Sequence, residues 1–432
     1  MKLALIFGTR PEVIKIAPLI LESQRRGNIE AITINTAQHA DVVDDVLNWF
    51  GITPDVTLAP RAASLTTAAT TPVGTTPVAS TPVTSPTSPT APAPAPAPAP
   101  AISGLNALSA HLFEQLDGVL QRIRPDAVLV QGDTTTVSVA AHAATNLQIP
   151  VIHLEAGLRS GNRWSPFPEE LNRRTVSALA SLHLTPTPGA TANLTREGVD
   201  GSDISEVGNT VIDALLWTAQ RDVSWKGTEL ETVMDRAGSS TIKKPEPKSA
   251  PEVSAAGSPG APRRIVAITC HRRENWGGKL AGIADAVVEL SQQFPAVDFV
   301  WPVHPNPAIR ATVTPILAGR PNIHVIDPLP YPYFVNLLAR ATLALSDSGG
   351  VQEEAPSLGT PVLVLREDTE RPEGIEAGCC ALIGTAPQRI VDETSRLLSN
   401  QTALQAMLID TNPYGDGKAA GRALAAIEKY FG

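Results

Sequence analysis

The sequence has no long hydrophobic run and few cysteines. Its first apolar run, residues 3–7, is shorter than the core of a signal peptide, which needs about 7–15 residues, and no run approaches the ~18–20 apolar residues of a membrane span. The three cysteines, Cys270, Cys379 and Cys380, are an odd number with an adjacent pair, which does not fit a disulfide framework. These absences predict a soluble cytoplasmic protein with no membrane association.

Positive charge is also scarce. The 432 residues include 34 lysines and arginines against 43 aspartates and glutamates, a formal net charge of −9. The chain therefore lacks a broad basic field for nucleic acid, and local positive groups have to hold any anionic ligand. Hydrophobic residues make up 43% of the chain, enough for a substantial core. At roughly 100–200 residues per domain, the length predicts two or three domains.

Two tracts have a biased composition. Eleven of the 39 prolines lie from Pro60 to Pro100, in threonine–proline repeats followed by alternating alanine and proline. Proline lacks an N–H group, so this tract is expected to be extended and solvated. We interpret it as an insertion in a surface loop at about 60–101, with a docking segment as the alternative. A second stretch, about 238–262, is rich in serine, proline and lysine and also predicts a loop or linker.

The rest of the chain alternates short apolar runs with amphipathic stretches. Strands are expected at 3–7, 31–36, 126–131, 151–156, 264–270, 297–303, 344–350 and 361–365, and helices at 13–26, 40–51, 134–147 and 280–294. This alternation predicts an α/β protein with parallel sheets covered by helices on both sides. The linker between the two blocks suggests two doubly wound domains, with ligands at the carboxyl ends of the strands in the cleft between them.

The first motif with chemical potential is GTRPE, residues 8–12, between the first strand and the first helix. Pro11 suits the first turn of a helix, and Arg10 and Lys15 lie near a helix N-terminus that already favours anions. We interpret the motif as an anion cradle, with a simple turn bearing a surface cation as the alternative. The GxGxxG dinucleotide fingerprint is missing.

Three acids follow predicted strands of the first half. Asp133 and Glu155 each come directly after or at the end of a strand, and Glu169 lies in the loop and helix start that follow. Carboxylates that converge on one crevice repel one another, so at least one is expected to have a raised pKa, as general acid–base chemistry requires. Helix caps and salt bridges are the alternative.

The second half supplies groups suited to a nucleoside diphosphate. His271 is followed by Arg272 and Arg273, and His304 ends another strand, where a turn histidine is the alternative. The strongest single stretch includes Ser348, Gly349, Gly350 and Glu354: the serine and glycines would face phosphate oxygens, and the glutamate would accept ribose hydroxyls.

Aromatic residues and histidines complete the sequence prediction for the second half. Phe334 and Tyr333, expected on a loop, are candidates for stacking on a base, with core packing as the alternative. The eight histidines show no HxxxH or HxH spacing with a third ligand, so no metal site is expected.

In this order, the motifs GTRPE, QGDTTT, HLEAGLRS, PEELNR, HRREN, PVHPNP, DSGGVQEEAPSLGTPVLVLREDTERPEG and NPYGDG closely resemble those of the non-hydrolysing bacterial UDP-N-acetylglucosamine (UDP-GlcNAc) 2-epimerases. The resemblance implies a GT-B-like fold of two Rossmann-like domains, at 1–213 and 214–412, with a C-terminal helix at 413–432 returning to the first. It also implies a homodimer that interconverts UDP-GlcNAc and UDP-N-acetylmannosamine (UDP-ManNAc) for cell-surface polysaccharide. No redox cofactor or metal is implied.

The resemblance also implies roles for individual residues. The family eliminates UDP to form 2-acetamidoglucal and then adds UDP back, with the proton delivered to the opposite face of C2. By motif, the catalytic groups are Asp133, Glu155, Glu169 and His271. The substrate-binding residues are Arg10, Lys15, His304, Phe334, Ser348, Gly349, Gly350, Glu354 and Arg371, with Lys15 supporting the phosphates and Phe334 beside the uracil.

One region departs from the family pattern. In bacterial members, the segment that corresponds to Gln38 and His39 helps bind a second UDP-GlcNAc as an allosteric activator. Here it continues as Ala40, Asp41 and Val42 instead of long polar residues and a methionine. Asp41 adds a negative charge near a diphosphate, so we expect a weakened activator site.

Three other functions compete with this interpretation. A glycosyltransferase of the same fold would share the nucleotide-binding half but has no need of three acids in the first half. A hydrolysing epimerase, which releases free ManNAc, usually has Gly-Asp-Arg where this chain has Gly8, Thr9 and Arg10. A non-catalytic nucleotide-sugar-binding regulator would not need the acids and His271.

Overall fold

Residues 1–38, 40–59, 103–237, 262–272 and 275–432 are described by the computed structural model of the chain. The proline-rich insertion, most of the serine- and proline-rich segment, His39 and Arg273 lie outside these ranges. The described strands form two parallel sheets.

The first sheet has seven strands in the order β3-β2-β1-β4-β5-β6-β7. Its strands are β1 (Lys2–Phe7), β2 (Glu30–Asn35), β3 (Val56–Thr57), β4 (Ala127–Gln131), β5 (Val151–Leu154), β6 (Leu182–Thr185) and β7 (Ile204–Glu206). The central strands β4 and β5 are mostly apolar and buried at every residue, as expected for a sheet covered on both faces.

The second sheet has six strands in the order β10-β9-β8-β11-β12-β13. Its strands are β8 (Arg264–Thr269), β9 (Val297–Pro302), β10 (Ile323–Ile326), β11 (Leu343–Ser346), β12 (Val362–Val364) and β13 (Cys380–Leu382). Both sheets place the first strand of their block beside the fourth, which is the Rossmann order with a switch point between those two strands.

Helices connect the strands and cover the sheets. In the first block they are α1 (Arg10–Arg26), α2 (Ala40–Phe50), α3 (Ser103–Ile123), α4 (Thr135–Asn146), α5 (Glu169–Leu179), α6 (Pro188–Arg196), α7 (Thr210–Ala219) and α8 (Glu231–Ala237). In the second they are α9 (Gly278–Gln293), α10 (Pro307–Leu317), α11 (Tyr331–Arg340), α12 (Gly349–Glu354), α13 (Pro372–Glu376), α14 (Pro387–Ser399), α15 (Gln401–Gln405) and α16 (Ala419–Phe431). The α/β, GT-B-like architecture expected from the sequence is confirmed. No described helix is both long enough and apolar enough to cross a membrane.

Helix α7 joins the two blocks. It packs against α1 of the first block and against α11 and α12 of the second. The C-terminal helix α16 packs back on α1 and α7, where Asp213 accepts hydrogen bonds from the main-chain N–H groups of Ala419 and Ala420 at 3.1 and 2.9 Å. The domain boundary expected between residues 213 and 214 falls within α7, and the division into domains stays a prediction.

Three local expectations need correction. The strand expected at 344–350 ends at Ser346, and Gly349 and Gly350 already form the first turn of α12. The strand expected to run to residue 156 ends at Leu154, because Glu155 adopts a left-handed backbone conformation with φ 64°. Phe334 and Tyr333 were expected on a loop but lie in the first turn of α11, where Pro332 fits the start of a helix. The ring of Tyr333 meets that of Trp225 edge-on at 5.0 Å, and this partly buried side chain packs against the core.

Candidate active site

The carboxyl ends of the strands at both switch points bring the predicted residues together. In the first sheet, Arg10 follows β1, Asp133 follows β4 and Glu155 follows β5. In the second, His271 follows β8 and Ser348 follows β11. Parallel strands end at the same edge of a sheet, so each set faces one crevice.

A cavity of about 320 Å³ lies at this edge and receives residues from both blocks. Glu155, Glu169 and Arg173 line it from the first block, and Arg272 and Arg371 line it from the second. This volume is within the range of small-molecule sites. The cavity therefore combines acids with cations, as a reaction on an anionic ligand needs.

Glu155 is the most constrained acid of the site. The Lys15 ammonium lies 2.6 Å from both carboxylate oxygens, and the Gln131 side-chain N–H donates to Oε2. Its φ of 64° is in a region that non-glycine residues seldom occupy, and such conformations persist where the surrounding structure enforces them. Lys15 was expected beside phosphates, but in the structure it is the counterion of Glu155.

The electrostatics of this pair support acid–base chemistry. Burial raises the pKa of Glu155, and repulsion from Glu353 and Asp133 adds to the effect, whereas Lys15 opposes it. This confirms the expectation that one of the acids has a raised pKa. Burial alone would lower the pKa of Lys15, but attraction to Glu155, Glu353 and Asp133 outweighs it and raises the pKa.

Asp133 and Glu169 occupy different environments. Asp133 accepts from the Arg173 guanidinium at 2.5 Å, and its main-chain carbonyl accepts from Asn172 at 2.8 Å. Both partners belong to α5, whose first residue is Glu169. Within the described ranges the Glu169 carboxyl has no hydrogen-bond partner. It therefore remains available to a ligand, whereas Asp133 is fixed by α5.

A second ion pair fixes the cationic side of the cavity. Arg371 Nε lies 2.6 Å from the Glu353 carboxylate, and the Asn209 amide donates to the same carboxylate at 3.1 Å. The Arg371 guanidinium packs closely against Gly349: a Cβ atom at Gly349 would be only 2.5 Å from Arg371 Cζ. The glycine is needed here because it lets the guanidinium reach the start of α12.

Glu354 is poised differently from its neighbour Glu353. Burial, followed by repulsion from Glu353, raises the pKa of Glu354 to about 8, with Lys15 and Arg10 opposing. A Cβ atom at Gly350 would be 3.3 Å from Glu354 Oε1, so the carboxyl lies close to the glycine pair. A carboxyl with this pKa is mostly protonated near neutral pH and can both donate to and accept from hydroxyl groups.

Two histidines stack at the edge of the second sheet. The rings of His271 and His304 are 6.1 Å apart with an interplanar angle of 15°. Burial and the proximity of His271 lower the pKa of His304. The main-chain N–H of Asn306 donates to His304 Nδ1 at 3.2 Å. The neutral His304 ring therefore carries its proton on Nε2.

The remaining predicted residues lie around these groups. Phe334 is partly buried against the core, and Gln38 accepts from the Thr136 hydroxyl at 2.7 Å, which ties it to the start of α4. The main-chain N–H of Ser348 donates a hydrogen bond to the Ser346 hydroxyl at 3.0 Å. In the described part of the chain, no group of three or more His, Cys, Asp and Glu side chains is arranged to hold a metal.

Sequence reasoning assigned no role to three residues that shape this site. Gln131, Arg173 and Glu353 each contact one of the predicted residues. The available signals were their positions: Gln131 ends a strand next to GDTTT, Arg173 is one helical turn after Glu169, and Glu353 precedes Glu354.

Known proteins match the chain over its whole length. A family model described as UDP-N-acetylglucosamine 2-epimerase matches residues 99–428. A probable UDP-N-acetylglucosamine 2-epimerase from Ralstonia solanacearum is 40% identical over 430 residues, which cover 100% of this chain and 99% of that protein.

Solved structures agree with the sequence matches. The structure of a putative UDP-N-acetylglucosamine 2-epimerase from Listeria monocytogenes is 37% identical with a TM-score of 0.79, covering 100% of this chain and 96% of that one. The UDP-GlcNAc 2-epimerase from Neisseria meningitidis, bound to UDP-GlcNAc, is 36% identical with a TM-score of 0.75, covering 99% and 100%. By sequence, fold and extent of similarity, the chain belongs to the UDP-N-acetylglucosamine 2-epimerase family.

Proposed function

We propose that this protein interconverts UDP-GlcNAc and UDP-ManNAc without hydrolysis. The observation that carries the proposal is a cavity that is shared by the two blocks and lined by Glu155 and Glu169 on one side and by Arg272 and Arg371 on the other. The acids suit proton transfer at C2 of the sugar, and the arginines suit the diphosphate that leaves from C1.

The proposed reaction proceeds by elimination and re-addition. One of the acidic residues, in its carboxylate form, removes the C2 proton as a base while the C1–O bond breaks, which gives 2-acetamidoglucal and UDP. UDP then adds back at C1, and a proton is delivered to the opposite face of C2. Asp133, Glu155 and Glu169 are the acids for the two faces, and His271 assists the leaving diphosphate.

The nucleotide half of the site is assigned to the second block. Ser348, Gly349, Gly350 and Arg371 bind the diphosphate, and Glu354 binds the ribose. Arg10, His304 and Phe334 complete the binding of the nucleotide. Lys15 supports this site through Glu155, its partner in the structure.

Incubation with UDP-GlcNAc in D₂O tests the proposal. We expect deuterium at C2 of both intact UDP-sugars, because the C2 proton exchanges with solvent during epimerisation. Free ManNAc with UDP would indicate a hydrolysing enzyme. Absence of both exchange and ManNAc would overturn epimerisation and favour a glycosyltransferase or a binding protein.

The cellular setting and assembly are part of the same proposal. The adjacent cysteines Cys379 and Cys380 form no disulfide, which fits the reducing cytoplasm. The family resemblance supports a homodimer and supply of ManNAc for cell-surface polysaccharide. Light scattering on the purified full chain measures the dimer directly, and a monomeric mass at micromolar concentration would contradict it.

Gly349→Ala is expected to weaken UDP binding without unfolding the protein. The new methyl group would displace the end of Arg371, a flexible side chain, so the guanidinium leaves its position while the backbone at the start of α12 stays in place. Loss of a charge-assisted hydrogen bond costs about 1.5–3 kcal/mol, or about 10–100-fold in the dissociation constant for UDP. Calorimetric titration with UDP measures it.

Gly278→Ala is the matched control for this substitution. Gly278 is also the first residue of a helix in the second block, but a Cβ atom there meets nothing within 4 Å. We expect unchanged UDP affinity. Equal affinities for the Gly349→Ala variant and the wild type would contradict the role assigned to Arg371.

The activator site near Gln38 and His39 is expected to be weakened. The family resemblance implies that a second UDP-GlcNAc binds near this segment, and Asp41 gives the segment a negative charge that a diphosphate would repel, so we expect that ligand to favour the closed form of the enzyme less. A progress curve from UDP-ManNAc freed of its epimer should therefore start without a lag. A long lag that traces of UDP-GlcNAc abolish would show that the activator site is intact.

A further inference from the structure

Asp347 is a buried acid at the edge of the site, and the proposed reaction does not use it directly. It directly follows β11, and the register of β11 with β8 pairs Ser346 with Thr269. The next residues on both strands are therefore neighbours, and Asp347 faces the segment that begins with Cys270 and His271. Its side chain is fully buried, whereas that of His271 is 42% exposed.

The carboxylate of Asp347 divides its two oxygens between different partners. Oδ2 accepts from the main-chain N–H of Arg272 at 2.9 Å, from the Asn275 amide at 3.0 Å and from the Cys270 thiol at 3.1 Å. The His271 main-chain N–H lies 3.0–3.1 Å from both oxygens. The partner of Oδ1 that remains is the His271 ring, whose Nδ1 is 3.3 Å away.

These contacts fix the charge of Asp347 and the proton position on His271. Burial alone would raise the pKa of Asp347, but the hydrogen bonds from His271, Arg272 and Cys270 lower it overall. An ionised carboxylate only accepts hydrogen bonds, so the proton of a neutral His271 ring lies on Nδ1. His304 is held in the opposite tautomer by Asn306.

We propose that Asp347 is a positioning residue for the reaction, which fixes the ring orientation and tautomer of His271 so that Nε2 faces the leaving diphosphate. This inference rests on the proposed function of His271. When the imidazole takes up a proton and donates to the diphosphate, the carboxylate behind it stabilises the positive charge. Because its side chain is fully buried, Asp347 acts through His271 and not on the substrate directly.

Asp347→Asn tests the proposal through the geometry of the two oxygens. The three donors at Oδ2 would select the carbonyl oxygen of the asparagine, so its NH₂ group would face Nδ1 of His271. Nδ1 would then have to accept, and the ring proton would move to Nε2. In protein labelled with ¹⁵N-histidine, we expect the His271 resonances to change from the Nδ1–H to the Nε2–H pattern, with assignment by His271→Asn.

A double-mutant cycle separates positioning from a structural role. We expect Asp347→Asn to lower kcat about 10²-fold with a much smaller change in KM, because the loss is in the transition state. In the His271→Asn background, the same substitution should cost less than about threefold, because residues that act as a unit are not additive. Equal losses in both backgrounds would overturn the proposal.

Asp298→Asn is the matched control. Asp298 is also buried, and it contacts His324 at 3.0 Å and Arg263 at 2.7 Å, but it lies near the amino end of β9, at the opposite edge of the same sheet. We expect unchanged kcat and unchanged His271 resonances. A similar fall in kcat for this variant would show that any buried aspartate of the sheet has the same effect and would overturn the proposal.

The two readouts also separate this proposal from the proposed function. The tautomer of His271 is measured without turnover. If the wild-type protein does not exchange deuterium at C2, the proposed epimerase function is wrong, whichever tautomer the histidine spectrum shows. If it exchanges but the His271 tautomer is the same in wild type and Asp347→Asn, the role of Asp347 is wrong and the epimerase activity stands.

Discussion

Glu155→Gln is expected to lower kcat for epimerisation by about 10²–10⁴-fold, the usual contribution of a general acid or base. Glutamine has the same shape and can still accept from Gln131, but it cannot take up the C2 proton. The assay is conversion of UDP-GlcNAc in D₂O, which reports both turnover and exchange at C2. Near-normal turnover would contradict the assignment of Glu155.

The same substitution leaves the Lys15 ammonium buried without its counterion. Removing one partner of a buried ion pair typically costs about 3–5 kcal/mol, so the free energy of unfolding should fall as well. The double variant Glu155→Gln/Lys15→Met removes both charges and should recover much of that stability. Turnover should stay low in the double variant, which separates loss of chemistry from loss of folding.

Lys15→Met is expected to lower turnover at neutral pH, because a higher pKa of Glu155 leaves a smaller fraction of its carboxylate ionised. The loss should be smaller than the 10²–10⁴-fold expected for Glu155→Gln, since the carboxyl group itself remains. Lys15 is the group that lowers the pKa of Glu155 against burial and repulsion. Without it the pKa rises further, and the ascending limb of kcat against pH moves to higher pH. Activity should partly recover as the pH is raised.

Stability should change with pH in the same variant. The pKa of Glu155 in the folded chain lies above its ordinary value of 4.5, so above that pH the folded state binds more protons than the unfolded chain. Stability from this group therefore falls as the pH rises, and removing Lys15 deepens the fall. Denaturant unfolding at several pH values measures it.

Lys279→Met is the control, since Lys279 is exposed on α9. The wild-type pH profile is expected for that variant. A Lys15→Met variant with a raised KM for the UDP-sugar and an unshifted pH profile would show that Lys15 supports the phosphates, as the family resemblance implies, and that its contact with Glu155 is secondary.

The order of strands and helices was determined by the sequence itself. Short continuous apolar runs such as residues 127–130 are typical of strands in a sheet buried on both faces, and the amphipathic stretches between them are typical of helices that cover it. The same apolar runs show that Asp133 and His271 follow strands. Because parallel strands end at one edge, their placement at the cleft follows from sequence and topology together.

The partners of those residues were decided only by the tertiary structure. Lys15 and Glu155 are 140 positions apart, and Asp347 and His271 are 76 apart. Local sequence patterns do not show which distant residue each charged group will contact, because several strand ends carry charged residues. The packing of α1 and β11 against their neighbours determines these two pairs. The left-handed backbone of Glu155 has the same origin: propensity disfavours it, and long-range contacts in the folded chain enforce it.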